Sequence, residues 1–194
     1  MDSFIGWVGG KKALRDVIIS KFPESVGRYV EVFGGAGWVM FRKDKVPGQM
    51  EVFNDFDSNL INLYRCIKYH PEALQKELHY ILSARELFDD FKDQINVSGL
   101  TDIQRAAKYF YLIKASFGCK KTSYATRPKR LDRTLARLDE ITERLSDVVI
   151  ENRDFESLIK LYDSPGTLFY LDPPYHQTEK YYDNEKVLDQ KSVV

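Results

Sequence analysis

Apolar positions in this chain follow two alternating rhythms. Residues 10–21 carry Ala13, Leu14, Val17 and Ile18 on one helical face, and Pro23 ends the run. Residues 28–33 (Arg-Tyr-Val-Glu-Val-Phe) read instead as a strand, which passes directly into Gly34-Gly35-Ala36-Gly37 and a short helix to Arg42. A second strand over 49–53 stops at Asn54-Asp55. The spacing of Leu60, Ile61, Tyr64 and Ile67 then predicts a helix over 58–69, closed by Pro71.

From there the strand–helix alternation is suspended. Residues 72–94 read as helical. Thr101-Asp102-Ile103-Gln104 fits a capping box, opening a helix that runs through Phe117. Residues 118–130 form a polar, basic loop, and Leu131, Leu135, Leu138, Ile141 and Leu145 mark another amphipathic helix. Strand signals resume at Val148-Val149-Ile150. A helix over 156–162 follows, then the turn Ser164-Pro165-Gly166, then an apolar strand ending at Asp172. The expected fold is an α/β sheet domain, residues 1–70 and 146–194, with a helical insertion over 71–145 between its second and third strands. A basic loop at the tip of an insertion is a natural place for substrate recognition.

Composition narrows the class. The 194 residues suffice for one substantial core, and 43% hydrophobic with 30% charged content is that of a soluble globular protein. No run is long or apolar enough to span a bilayer. The N-terminus lacks a secretory pattern, because Asp2, Lys11 and Lys12 interrupt it before an apolar stretch develops. Cys66 and Cys119 stand apart, without metal-type or redox-type pairing, so a cytoplasmic protein with reduced thiols is expected. The formal net charge is zero, yet Lys120, Lys121, Arg127, Lys129, Arg130, Arg133 and Arg137 crowd together against Asp132 alone. A polyanion-binding face needs such a patch, and a solvated loop and helix face is equally compatible with it.

Small residues at the first strand–helix turn let a ligand approach the backbone closely. Phe33-Gly34-Gly35-Ala36-Gly37 supplies them, but Trp38, Val39 and Met40 follow where a dinucleotide fingerprint would want a further glycine. This argues for a ligand without a pyrophosphate; an ordinary tight turn is the alternative. Asp55, about twenty residues on, stands where an acid accepts hydrogen bonds from ribose hydroxyls, while Asp57 or Ser58 can cap the next helix. Trp7, Gly9, Gly10 and Lys11 suggest a lid whose ammonium holds a carboxylate, or else a loose N-terminus.

The last strand delivers Asp172-Pro173-Pro174-Tyr175 to the carboxyl end of the sheet, where open α/β folds bind ligands. These four residues match the catalytic motif of enzymes that methylate exocyclic amino groups, N6 of adenine or N4 of cytosine. Such a nitrogen is a poor nucleophile because its lone pair is delocalised into the ring. Convergent acceptors, the Asp172 carboxylate and the Pro173 carbonyl, would draw it toward tetrahedral geometry. Proline rings fix the turn, and Tyr175 can stack on the base. The attacked group would be a methyl on a sulfonium, so positioning and electrostatics would carry most of the rate and no metal would be needed. A base inside a duplex must be extruded to reach such a pocket. The basic loop offers Lys120, Lys121, Lys129 and Arg130 for phosphates, with Ser123, Tyr124, Thr126 and Arg127 as candidate readers of base edges.

Together these motifs resemble, in order from about Phe4 to about Asp183, the Dam-like (D12 class) DNA adenine N6-methyltransferases. The resemblance implies a Rossmann-like sheet that binds S-adenosylmethionine, with Trp7, Lys11, Phe33, Gly34, Gly35, Gly37, Asp55 and Asp172 at the cofactor. It places Asp154 and Phe155 at the cofactor's adenine, and the insertion as target-recognition domain. It implies site-specific methylation of a flipped adenine in double-stranded DNA, as in restriction-modification, by a monomer. Family members continue well past the catalytic motif to complete a seven-stranded sheet. This chain stops nineteen residues after Tyr175 (194 minus 175). An incomplete sheet with its C-terminal strands missing is therefore expected, with an open edge that invites association. Two other readings are a remnant that binds DNA or cofactor without turnover, and a small-molecule or protein methyltransferase.

Overall fold

The computed structural model describes residues 1–125 and 131–174. Four strands, β1 (Arg28–Glu31), β2 (Met50–Asn54), β3 (Val149–Glu151) and β4 (Thr167–Tyr170), form one all-parallel sheet in the order β3-β2-β1-β4. From β1 the chain steps outward to β2 and β3, then returns to the opposite side of β1 as β4. The strand order therefore reverses between β1 and β4. In open α/β sheets that reversal leaves a crevice beyond the carboxyl ends of the strands.

Side-chain alternation divides the sheet into two faces. Val30, Val32 and Val52 pack with Leu158 and Tyr162 of α9 (Phe155–Tyr162) on one face. Tyr29 and Phe53 point to the other, into the larger core. There lie α2 (Trp38–Arg42), α3 (Ser58–Tyr69), α6 (Asp102–Ala115) and α8 (Leu138–Leu145). Aromatic rings join these parts: Tyr64 of α3 lies 4.3 Å from Phe53 and 5.2 Å from Phe4, and Phe4 stacks at 6.3 Å on Phe110 of α6. The helices between β2 and β3 thus share one core with the sheet.

Two acids sit inside this larger layer. Glu51 is held by Arg144 at 2.6 and 3.0 Å and by Lys43 at 2.9 Å. Glu31 accepts from Tyr29 Oη at 2.7 Å and from the Met40 amide at 2.9 Å, and it anchors α2 to β1. The ion pairs at Glu51 offset the desolvation of a buried charge.

Several helices differ from the expected runs. The first, α1 (Arg15–Ile19), is shorter than 10–21 because the chain before it forms turns, with the Gly10 amide donating to the Trp7 carbonyl and the Leu14 amide to the Lys11 carbonyl. The run 72–94 is two helices, α4 (Pro71–His79) and α5 (Arg85–Gln94). At the break, Tyr111 Oη accepts from the Ala84 amide at 3.0 Å and donates to its carbonyl at 2.8 Å, which also accepts from the Phe88 amide at the start of α5. The run 131–145 likewise divides into α7 (Asp132–Leu135) and α8. The capping box is present: Thr101 Oγ1 accepts from the Gln104 amide at 3.2 Å, and Gln104 Oε1 accepts from the Thr101 amide at 3.1 Å. No described helix is long and apolar enough to cross a membrane.

Candidate active site

The residues singled out around the glycine turn and the last strand converge at the reversal between β1 and β4. Glu31 pairs with Tyr170, and the Val32 amide donates to the Tyr170 carbonyl at 3.1 Å, so the ladder runs on past the last paired residues. Phe33 and Asp172 therefore leave the sheet side by side. Lys11 closes the same corner. Its ammonium lies 2.7 Å from Asp172 Oδ1 and donates to the Gly9 carbonyl at 2.9 Å. The two paired side chains are only 17% and 23% exposed, which shields the pair from the screening that weakens surface ion pairs.

The glycine turn is shaped by what presses on it. A Cβ at Gly34 would stand 2.3 Å from the Phe53 ring and 2.8 Å from the Asn54 carbonyl. At Gly35, with φ +49°, it would stand 2.7 Å from Trp7. Gly37 has φ +65°, in the left-handed region that favours glycine, and opens α2. Trp7 therefore lies directly over the turn, and Trp38 blocks Gly10 in the same way at 2.8 Å.

Asp55 binds the turn from β2. Its Oδ2 accepts from the Gly35 amide at 2.8 Å and its Oδ1 from the Asp57 amide at 2.9 Å. Burial, and next the nearby Asp57 carboxylate, push its pKa up to about 6, against the pull of those amides and of Lys121. Asp57 is the helix cap: its side chain accepts from the Asn59 and Leu60 amides and so begins α3. Asn54 brackets the strand ends. Its Nδ2 donates to the Val32 and Arg153 carbonyls at 2.9 and 3.0 Å, and its Oδ1 accepts from the Arg153 amide at 2.8 Å.

Other predicted residues are placed less simply. Asp154 caps α9, accepting from the Ser157 amide at 3.0 Å, and the Ser157 hydroxyl bonded to it holds its pKa down. Phe155 rests 5.9 Å from Phe33 at the same rim. In the insertion loop Lys120 is half-buried, Ser123 is exposed and its carbonyl accepts from the Phe117 amide. Tyr124 shares a hydrogen bond with Ser83 and packs on Phe88 under Arg85. Lys121, expected to face phosphates, is instead buried against Asp57 and Tyr109. Thr126, Arg127, Lys129, Arg130 and Tyr175 lie outside the described residues.

Sequence reading missed Tyr109 and Glu31 as parts of the site's frame. Tyr109 opens the apolar run 109–113, where its hydroxyl gives no signal. Glu31, a lone charge inside an apolar strand, was a detectable one. Burial raises the Glu31 pKa to about 8.

A parallel α/β sheet with a glycine turn after β1, an acid after β2 and a carboxylate after β4, all at the strand reversal, is the architecture of the Rossmann-like methyltransferase fold. The chain belongs to the D12 class N6 adenine-specific DNA methyltransferase family, which it matches over residues 7–192. Members of that family use S-adenosylmethionine as methyl donor. The chain is 30% identical over 190 residues to the type II methyltransferase M1.LlaDCHI of Lactococcus lactis subsp. cremoris, covering 89% of this chain and 65% of that protein. It is 24% identical over 193 residues to a DNA adenine methylase of Haemophilus influenzae, covering 89% of this chain and 63% of that protein. The chain thus spans somewhat under two thirds of the length of these relatives.

Proposed function

We propose that this chain carries the cofactor and catalytic half of a site-specific DNA adenine N6-methyltransferase. The observation that carries the reading is the Lys11–Asp172 pair beside the Trp7-covered glycine turn and Asp55. The residues suit S-adenosylmethionine. Lys11 and Asp172 present one positive and one negative group together, the complement of an amino-acid zwitterion. Asp55 keeps lone pairs for ribose hydroxyls after binding two amides. Phe33 and Phe155 offer apolar surface for an adenine. When bound, the cofactor would supply an electrophilic methyl group on a sulfonium.

The chain's own contribution is positioning. Asp172 follows two residues after a strand locked to β1, so its carboxylate is held by the sheet rather than by a loose loop. Pro173 and Pro174 restrict the turn and leave the Pro173 carbonyl as an acceptor with no competing amide donor. An adenine amino group bonded to both acceptors would have its lone pair directed at the methyl, and a geometry of this kind accounts for several kcal/mol of barrier lowering. The target base would have to leave the duplex. Asp154 acts chiefly as a helix cap in this reading, with Phe155 the better candidate for the adenine pocket.

Transfer of labelled methyl from S-adenosylmethionine to duplex DNA tests the proposal. Wild-type chain is expected to transfer it and Asp172→Ala to lose transfer by at least about a hundredfold, with unchanged circular dichroism. Cofactor binding without transfer by the wild type would refute turnover and favour a binding-only chain. Transfer to protein or small molecules, undiminished by competing unmodified duplex, would refute DNA as the substrate.

A further inference from the structure

Lys121 belongs to the loop after α6, but its ammonium is not at the surface. The residue is 9% exposed. Its Nζ donates to Tyr109 Oη at 2.8 Å, lies 3.5 Å from Asp57 Oδ2 and stands 4.8 Å from the centre of the Trp7 ring. Tyr109 in turn donates to Asp57 Oδ2. The three partners come from three parts of the chain: α6 of the insertion, the cap of α3 beside Asp55, and the N-terminal segment that covers Gly35.

The backbone is bent to put it there. Cys119 and Lys121 both have φ +61°, a conformation that costs L-residues on the order of 1 kcal/mol each. The bend is held by the Lys121 amide donating to Ser116 Oγ at 3.1 Å. The Phe117 amide also donates to the Ser123 carbonyl at 3.0 Å, and the Ala125 amide to the Ala115 carbonyl at 2.7 Å. A lysine that only met phosphates would need neither the strain nor the burial. An ammonium stacked on an aromatic face and paired with a carboxylate is instead a clamp between the elements carrying them.

We propose that Lys121 is a positioning residue that ties the helical insertion to the methyl-donor pocket. Its ammonium presses Trp7 onto the glycine turn and holds the Asp57–Asp55 corner, so that the conformation of the 116–125 loop sets affinity for the cofactor. The inference rests on the cofactor reading given above. By the reciprocity of coupled equilibria, anything that reshapes this loop, duplex DNA included, is felt at the cofactor.

The test measures binding of S-adenosylhomocysteine by titration calorimetry to the full chain and to Lys121→Met and Lys121→Arg, with melting curves alongside. Affinity for a random duplex is measured at several salt concentrations. Lys121→Met is expected to bind S-adenosylhomocysteine about tenfold more weakly, and Lys121→Arg to recover most of that loss. The salt slope of duplex binding is expected to stay unchanged in both variants. Unchanged S-adenosylhomocysteine affinity in Lys121→Met overturns the inference and leaves the cofactor reading intact. So does a shallower salt slope with unchanged S-adenosylhomocysteine affinity, which would make Lys121 a phosphate contact. A folded wild type that binds no S-adenosylhomocysteine removes the cofactor reading and this inference together. If Lys121→Met does not fold, Tyr109→Phe decides. It deletes the hydroxyl between Lys121 and Asp57 while keeping the ring, and weakened binding supports the clamp where undiminished binding refutes it.

Discussion

Replacing Glu31 by Gln should make the protein more stable, and increasingly so as pH rises. Glu31 is 2% exposed on β1. Burial raises its pKa from 4.5 to about 8, against the opposing effects of the Tyr29 hydroxyl, the Met40 amide and Arg144, and Asp172 adds to the rise. A carboxyl whose folded pKa lies above its unfolded value is protonated preferentially in the native state. The stability it contributes is fully present below about pH 4.5 and is lost as pH rises through about 8. Across that window each pH unit corresponds to about 1.4 kcal/mol, so the loss approaches about 4–5 kcal/mol, and partial hydration in the native state brings it to roughly 3. Gln mimics the neutral form: its carbonyl can accept from Tyr29 and Met40, and it cannot ionise. Asp55 titrates with the same sign, but it is present in both proteins and cancels in the difference. Urea unfolding from pH 5 to pH 8.5 is the assay. At pH 5 the two proteins should lie within about 1 kcal/mol, and at pH 8.5 the variant should lead by roughly 3 kcal/mol, or about 6–12 °C in melting temperature. Parallel stability–pH curves would refute the reasoning, because they would mean that Glu31 titrates alike in folded and unfolded chains.

Two further substitutions probe the frame of the site. Gly34→Ala puts a methyl 2.3 Å from the buried Phe53 ring and 2.8 Å from the Asn54 backbone, neither of which can withdraw. A loss of about 2–3 kcal/mol is expected by urea titration, and an unchanged midpoint would show slack in the turn. Asn54→Ala deletes three hydrogen bonds that tie β2 to the ends of β1 and β3. It should cost about 2–4 kcal/mol and speed hydrogen exchange at the Arg153 amide; native protection there would contradict the bracket assigned to Asn54.

The parts legible in the sequence are those governed by local chemistry. The apolar strands, the glycine turn, the capping box at Thr101 and the helix Ser58–Tyr69 depend on near neighbours, and all appear with nearly the expected bounds. Placing the glycine turn and Asp172 side by side follows from the strand order β3-β2-β1-β4, which no local pattern encodes. The break at Tyr80–Ala84 was hidden because it depends on Tyr111, far along the chain. Lys121 was misread for a related reason. A cluster of basic residues reports charge, but the direction of one side chain depends on a backbone torsion that composition does not encode. For Asp154 the resemblance implies a place at the cofactor's adenine, and only the fold shows its carboxylate accepting from the Ser157 amide.

The aromatic chain from Phe53 through Tyr64 and Phe4 to Phe110 has a consequence for how such a protein could change its preferences. Helices fused into a common interior cannot swing as a hinged arm, nor be exchanged wholesale between relatives without rebuilding what lies beneath them. Diversification must then be confined to the outermost turns, where residues can vary without disturbing the shared foundation.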